Sequence, residues 1–184
     1  MNNRTSTISN RIKSPALKVA LAAASVFLLG CVAPVRGGDN RAPDVPASLA
    51  VPDGNKVAFH AYAVGVQIYR WSGTAWVFVA PEAVLYDADG DVVGIHYAGP
   101  TWESNSGSKV VGARVAGGSV DATAIPWLLL RAVTAEGPGI FHRVTFIQRV
   151  NTTGGKAPAA PGTVVGEEAN VPYTAEYFFY RETK

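Results

Sequence analysis

From residue 51 onward the sequence consists of short segments of β-forming residues separated by turn signals. After the first thirty residues, no window of about 15 residues has the i, i+3, i+4 apolar spacing of an amphipathic helix. The pattern predicts one mainly β domain over residues 51–184, an antiparallel β-sandwich or a small β-barrel with long Gly/Pro-rich loops. The alternative is an α+β fold with one short helix near 124–133 (AIPWLLLRAV), because this run is apolar without alternation.

Turn residues divide the domain into hairpins. Gly-, Asp- and Ser-containing turns are predicted at Ser72–Thr74, Asp87–Gly90 and Ser104–Gly107. Gly65 is expected to bend or bulge the first strand, and Pro81 is expected to end the second.

A long Gly/Pro/Ala-rich connection runs from Thr152 to Asn170 (TTGGKAPAAPGTVVGEEAN). Connections of this length are often functional or mobile, so this segment is a candidate lid or partner contact.

The first thirty residues have the parts of a secretory signal peptide. A basic segment precedes the apolar run Val19–Gly30, whose 12 residues are fewer than the roughly 20 that span a bilayer. Leu28–Cys31 (LLGC) then resembles a bacterial lipobox, in which the cysteine is diacylated and becomes the N-terminus. We expect a signal peptide over 1–30, lipidated Cys31 and a flexible tether over 31–50. Val32 after the cysteine fits sorting to the outer membrane, facing the periplasm. The alternative is an ordinary secreted protein with a coincidental cysteine.

Charge and motifs exclude several classes of protein. Removal of residues 1–30, which hold four basic residues and no acidic ones, leaves 12 basic against 14 acidic residues, so a basic nucleic-acid-binding surface is not expected. Cys31 is the only cysteine, and an intrachain disulfide is therefore impossible. Neither a Gly-x-Ser-x-Gly elbow nor a nucleotide-binding glycine loop is present, and we expect no cofactor.

The stretch Gly94–Glu103 (GIHYAGPTWE) gathers reactive side chains around a Gly-Pro break. In a strand, small residues flank His96 on its own face, and only one of Trp102 and Glu103 can share that face. One interpretation is a pocket in which His96 acts as acid, base or ligand. The other is a barrel corner in which His96 and Trp102 bond to loop backbone.

Two groups of residues have side chains that commonly ligate metal ions, but their spacing in the sequence does not match that of metal ligands. Asp87–Asp91 (DADGD) begins like a calcium loop, yet Ala98 stands where an EF-hand needs its last carboxylate. His60, His96 and His142 lie on separate segments. We expect no metal site.

Several stretches together resemble the domain of unknown function 3455 family of secreted bacterial and fungal proteins. In chain order they are GVQIY (65–69), APEAVL (80–85), GIHYAGPTWE (94–103), GSKVVG (107–112), AIPWLLL (124–130), VTFIQRVNTTGG (144–155) and VPYTAEYFFY (171–180). The resemblance implies no established activity. Relatives often carry two cysteines that the resemblance implies are bridged. Here Trp71 and Pro161–Thr163 stand at those places, so this chain lacks the bridge.

These observations predict an envelope lipoprotein whose β domain binds a ligand or an envelope partner without catalysis. The expected pocket uses Gln67, Tyr69, His96, Trp102 and Glu103. One alternative is a small hydrolase or lyase with His96 and Glu103 as base and acid, and another is a structural envelope protein. The expected partners are the membrane, through the lipid anchor, and an unknown small molecule or envelope protein, but not nucleic acid.

Overall fold

Eight antiparallel strands form a closed barrel in the computed structural model, which describes residues 40–184. Each strand pairs with the next, and the last pairs with the first. The strands are β1 (Asn55–Trp71), β2 (Trp76–Tyr86), β3 (Val92–Tyr97), β4 (Thr101–Ser104), β5 (Lys109–Gly118), β6 (Trp127–Glu136), β7 (Phe146–Gly154) and β8 (Glu168–Glu182). The mainly β prediction is confirmed. The α+β alternative is wrong, because most of the expected helix lies in β6.

The predicted turns lie between strands, except that Ser104 is the last residue of β4. In contrast to the prediction, β2 continues through Pro81 instead of ending there. Pro81 pairs with Gln67 of β1, whereas β3 pairs only with residues 83–86 of β2. A proline lacks the N–H that a second neighbouring strand would need. Because Pro81 has no β3 partner, the missing donor costs β2 no ladder bond on that side.

Two glycines allow neighbouring strands to approach closely. A Cβ atom at Gly65 would lie 2.1 Å from the carbonyl oxygen of Glu82, and one at Gly94 would lie 2.3 Å from that of Glu103. The register shifts of β1 fall between residues 57 and 59 and between 68 and 69, so the bulge expected at Gly65 is displaced. Gly65 instead provides space between strands, as glycines do where a barrel is tightly curved.

Aromatic residues of β8 are buried on both faces of the barrel wall. Tyr177 and Phe179 point into the interior core, whereas Phe178 and Tyr180 belong to a second apolar cluster on the outer surface. A strand buried on both faces lacks the apolar/polar alternation of a half-exposed one. This double burial explains the continuous aromatic run near the C-terminus.

The chain before β1 covers the outer cluster. Val45 and Val51 pack on it, and a short 3-10 helix (Ala47–Leu49) places Leu49 at 1% exposure. Gln148 Nε2 donates to the Leu49 carbonyl at 2.6 Å. The structure thus places residues 40–50 of the expected tether against the barrel. The expected signal peptide, Cys31 and the rest of the tether lie outside the described residues. Within residues 40–184, no helix is long and apolar enough to cross a membrane.

Candidate functional site

One end of the barrel is closed by the segment between β6 and β7. Phe141 of this segment is fully buried and packs against Phe59 and Phe179, at ring-centroid distances of 6.3 and 4.6 Å. Its backbone N–H donates to Ser108 Oγ from the turn between β4 and β5. This aromatic layer packs the closed end of the interior.

A cavity of about 300 Å³ lies toward the opposite end, beside the turn between β3 and β4. Its walls are largely apolar and include Phe78, Pro81, Pro100, Leu128 and Leu130. Residues 76–80 of β2 pair with β1 but have no partner in β3, which ends at Tyr97. The missing pairing leaves the rim apolar and accessible, with Phe78 half exposed.

His96 lines this cavity from β3 and is 2% exposed. Its Nδ1 lies 2.8 Å from the carbonyl oxygen of Thr101. Because a carbonyl only accepts, Nδ1 carries the proton and Nε2 keeps its lone pair in the neutral ring. Burial lowers the pKa of His96 from 6.5 to about 3, the Thr101 bond opposes this shift, and the charge of Arg149 adds to it. The imidazole is therefore neutral at ordinary pH.

Trp102 and Tyr177 pack against the imidazole. The His96 and Trp102 rings are stacked at 4.4 Å, since the two residues are paired across β3 and β4. Tyr177 of β8 meets both rings edge-on, at 5.1 and 5.3 Å. Edge-to-face and stacked aromatic contacts of this kind hold side chains in fixed orientations.

Three buried polar groups of the cavity wall have no hydrogen-bond partner among residues 40–184. They are Gln67 Nε2, Trp102 Nε1 and Tyr177 Oη, on side chains that are 3%, 1% and 1% exposed. Tyr177 lies near Tyr173 and Arg149 without bonding geometry to either, and burial raises its pKa. A buried polar group without a partner costs about 1–3 kcal/mol. These atoms are buried even from the cavity, so a bound molecule reaches them only after a side-chain shift.

Arg149 of β7 adds a positive charge to the cavity wall. Its Nε and Nη2 donate to the Pro126 carbonyl at 3.2 and 2.8 Å. In the part of the chain that the structure describes, no carboxylate forms an ion pair with Arg149. Its charge lowers the pKa of His96 and opposes the raised pKa values of Tyr69 and Tyr177, so its field extends across the cavity.

The sequence interpretation missed Arg149. The available signal was the alternation in FIQRV: Ile147 is a core residue, and the side chain two positions later lies on the same face of a strand. Because buried charges are usually paired, a charged residue on the inward face of an apolar strand is unusual.

Three of the five expected pocket residues line the cavity, namely Gln67, His96 and Trp102. Tyr69 is nearby, but its hydroxyl donates to the Gly155 carbonyl at 2.7 Å and its ring meets Phe78 edge-on. Tyr69 therefore holds the loop after β7 against the barrel.

Glu103 lies on the outer face, away from His96. It pairs with Ile95 across β3 and β4, accepts a 2.6 Å hydrogen bond from the Tyr97 hydroxyl and lies 3.6 Å from Lys109 Nζ. The Tyr97 bond lowers the pKa of Glu103. Because side chains alternate between faces, the pairing of His96 with Trp102 excludes Glu103 from the interior. The structure does not bring His96 and Glu103 together.

The expected lid is shorter than the sequence indicates, and several contacts attach it to the barrel. Residues 155–167 connect β7 to β8. Trp76 Nε1 donates to the Ala160 carbonyl at 2.8 Å, and Trp71 packs directly on Gly162. Gly162 lies within Pro161–Thr163, the segment where the resemblance implies the second cysteine of relatives, so Trp71 contacts that segment directly.

The aspartate-rich turn and the histidines do not form a metal centre. Asp87 Oδ1 accepts hydrogen bonds from the backbone N–H groups of Asp89 and Asp91, which accounts for the turn. Among residues 40–184, no group of three or more His, Cys, Asp or Glu side chains is placed to hold a metal ion.

Comparison with known proteins identifies a family and no individual relative. Neither the curated proteins nor the solved structures contain a match to this chain. A family model described as "Protein of unknown function (DUF3455)" matches residues 52–181, which cover nearly all of the barrel. The chain therefore belongs to the DUF3455 family.

Proposed function

We propose that the barrel binds a small, mainly apolar ligand in the cavity beside the turn between β3 and β4, and that it does so without catalysis. The observation that carries this proposal is a cavity of about 300 Å³ with apolar walls and three unpartnered buried polar groups. Small-molecule sites typically measure about 300–1,000 Å³ and combine apolar walls with a few oriented polar groups. The cavity fits the lower end of that range.

The geometry of His96 supports binding over catalysis. A general base works best with a pKa near the operating pH, whereas burial lowers the pKa of His96 to about 3. Its Nδ1 is engaged by Thr101, and Glu103 lies on the opposite face of the sheet. The hydrolase or lyase alternative thus lacks its acid-base pair, and the structural-protein alternative leaves the cavity unexplained.

Native mass spectrometry of protein purified from its own envelope tests this proposal. Ala98 is exposed at the cavity rim, so Ala98→Trp is expected to block entry and reduce the bound small molecule at least about tenfold, about 1.4 kcal/mol of binding free energy. Ala88→Trp is the matched control, because Ala88 is exposed in the turn between β2 and β3 at the other end of the barrel. Equal ligand occupancy in both variants would refute the cavity as the site.

We also propose that the protein is a lipoprotein of the bacterial cell envelope, anchored through acylated Cys31. Support comes from the basic segment, the short apolar run and the LLGC sequence. Several acyl chains hold a folded domain on a membrane at about 0.8 kcal/mol per buried methylene. Cys31→Ser is expected to move the protein from the membrane to the soluble fraction, whereas unchanged membrane fractionation would contradict lipidation.

A further inference from the structure

The polar groups of the cavity are mostly hydrogen-bond donors. Gln67 Nε2 and Trp102 Nε1 are N–H donors without partners among the described residues, and the Tyr177 hydroxyl can also donate. The Arg149 guanidinium has five N–H groups, of which those on Nε and Nη2 contact Pro126. In the neutral tautomer of His96, the Nε2 lone pair is an acceptor on this wall. A ligand that bonds to the remaining Arg149 N–H groups must therefore carry hydrogen-bond acceptors.

Charge favours an anionic acceptor over a neutral one. Arg149 lines the cavity, and no carboxylate within residues 40–184 forms an ion pair with it. Arg149 is only partly buried, and hydrogen bonds between guanidinium and carboxylate are about twice as strong as neutral ones. A single cation within apolar walls matches one negative charge, whereas a doubly charged phosphate would retain an uncompensated charge.

The size of the cavity limits the rest of the ligand. At the roughly 30 Å³ that one water molecule occupies in the liquid, a cavity of about 300 Å³ holds on the order of ten non-hydrogen atoms. The walls around this space include Phe78, Pro81, Leu128 and Leu130. A carboxylate with an apolar body of about eight carbon atoms has this size and polarity.

We propose that the ligand class of this site is small monocarboxylates, with the carboxylate bound by Arg149 and the apolar body against the cavity walls. The inference rests on the proposed function and specifies its ligand.

Calorimetric titration of the full chain with octanoate and with 1-octanol tests the charge requirement. The two probes have similar apolar bodies and differ in the charged group. Octanoate is expected to bind about 10- to 100-fold more tightly than 1-octanol, because one charge-assisted hydrogen bond increases affinity by about that factor. Added sodium chloride is expected to weaken octanoate binding and to leave octanol binding unchanged, because salt screens only the charged probe.

Arg149→Gln is expected to remove most of the preference for octanoate, and Arg149→Lys is expected to restore part of it. Arg70→Gln is the matched control, since Arg70 is exposed on the outer face and pairs with Glu168. Circular dichroism checks that each variant is folded, and the comparison of the two probes on the unmodified chain requires no variant.

Equal affinity for the two probes would overturn the carboxylate inference while leaving the apolar ligand site in place. Binding of neither probe would also overturn it, and the envelope-purified Ala98→Trp experiment then decides the proposed function separately. Octanoate preference that survives Arg149→Gln would overturn the role of Arg149.

Discussion

Acidification from pH 7 to pH 5 is expected to destabilise the barrel through His96. The side chain is 2% exposed and stacks on Trp102, and no carboxylate within residues 40–184 forms an ion pair with it. Tyr177 packs edge-on against the ring, and the positive charge of Arg149 opposes protonation. The interior therefore accepts the neutral imidazole and resists the imidazolium.

The sign and size of the effect follow from the two pKa values of His96. Its pKa is 6.5 in a solvated chain and about 3 in the folded barrel. The unfolded chain thus takes up the proton first, so stability is complete above about pH 6.5 and declines as the pH falls toward 3. At about 1.4 kcal/mol per pH unit, the loss between pH 6.5 and pH 5 is about 2 kcal/mol.

Urea unfolding at pH 7, 6 and 5, followed by circular dichroism, measures this loss. In His96→Gln, the decline over this interval is expected to disappear. His142→Gln is the control, because His142 is exposed in the segment between β6 and β7. Glu103 and Glu167 contribute little in this window, because the stability gained from their lowered folded-state pKa values is lost only as the pH falls below the solvated glutamate value near 4.3.

Equal unfolding free energies at pH 7 and pH 5 in the unmodified protein would refute this reasoning. A decline of the same size in His96→Gln would show that another group causes the pH dependence.

Three further variants, one of them a double substitution, test the packing of the barrel. Gly94→Ala is expected to lower the free energy of unfolding in urea by about 1–3 kcal/mol, because its Cβ would lie 2.3 Å from a backbone oxygen. Gly118→Ala is the control, since the nearest atom to its Cβ would lie at 3.9 Å. Trp71→Cys combined with Gly162→Cys is expected to form a disulfide. A Cβ at Gly162 would lie 2.8 Å from that of Trp71, and an increase of about 1 Å in this distance reaches the Cβ–Cβ separation of a disulfide. An unchanged number of free thiols before and after reduction would show that the disulfide does not form. Phe141→Ala is expected to cost about 3–5 kcal/mol in thermal or urea unfolding because it empties the closed end, and a loss below 1 kcal/mol would contradict that role.

Local signals in the sequence were sufficient for the β class and for most turns. Gly and Asp at Asp87–Gly90 and the Ser-Gly turns act over a few residues, so their effect is readable without the rest of the chain. Alternation also indicated correctly that only one of Trp102 and Glu103 shares a face with His96. The double burial of β8 was not readable in this way, because an apolar run does not reveal what covers each face.

Long-range pairing decided the remaining features. The choice between sandwich and barrel depends on β1 meeting β8, strands that are separated by most of the domain sequence. Closure of the barrel by the β1–β8 pairing also places Arg149 of β7, Gln67 of β1 and His96 of β3 around one cavity with apolar walls. The sequence by itself determined which residues alternate along each strand. Only the tertiary structure decided which of them share a cavity, because a cavity is formed by side chains from strands far apart in the chain.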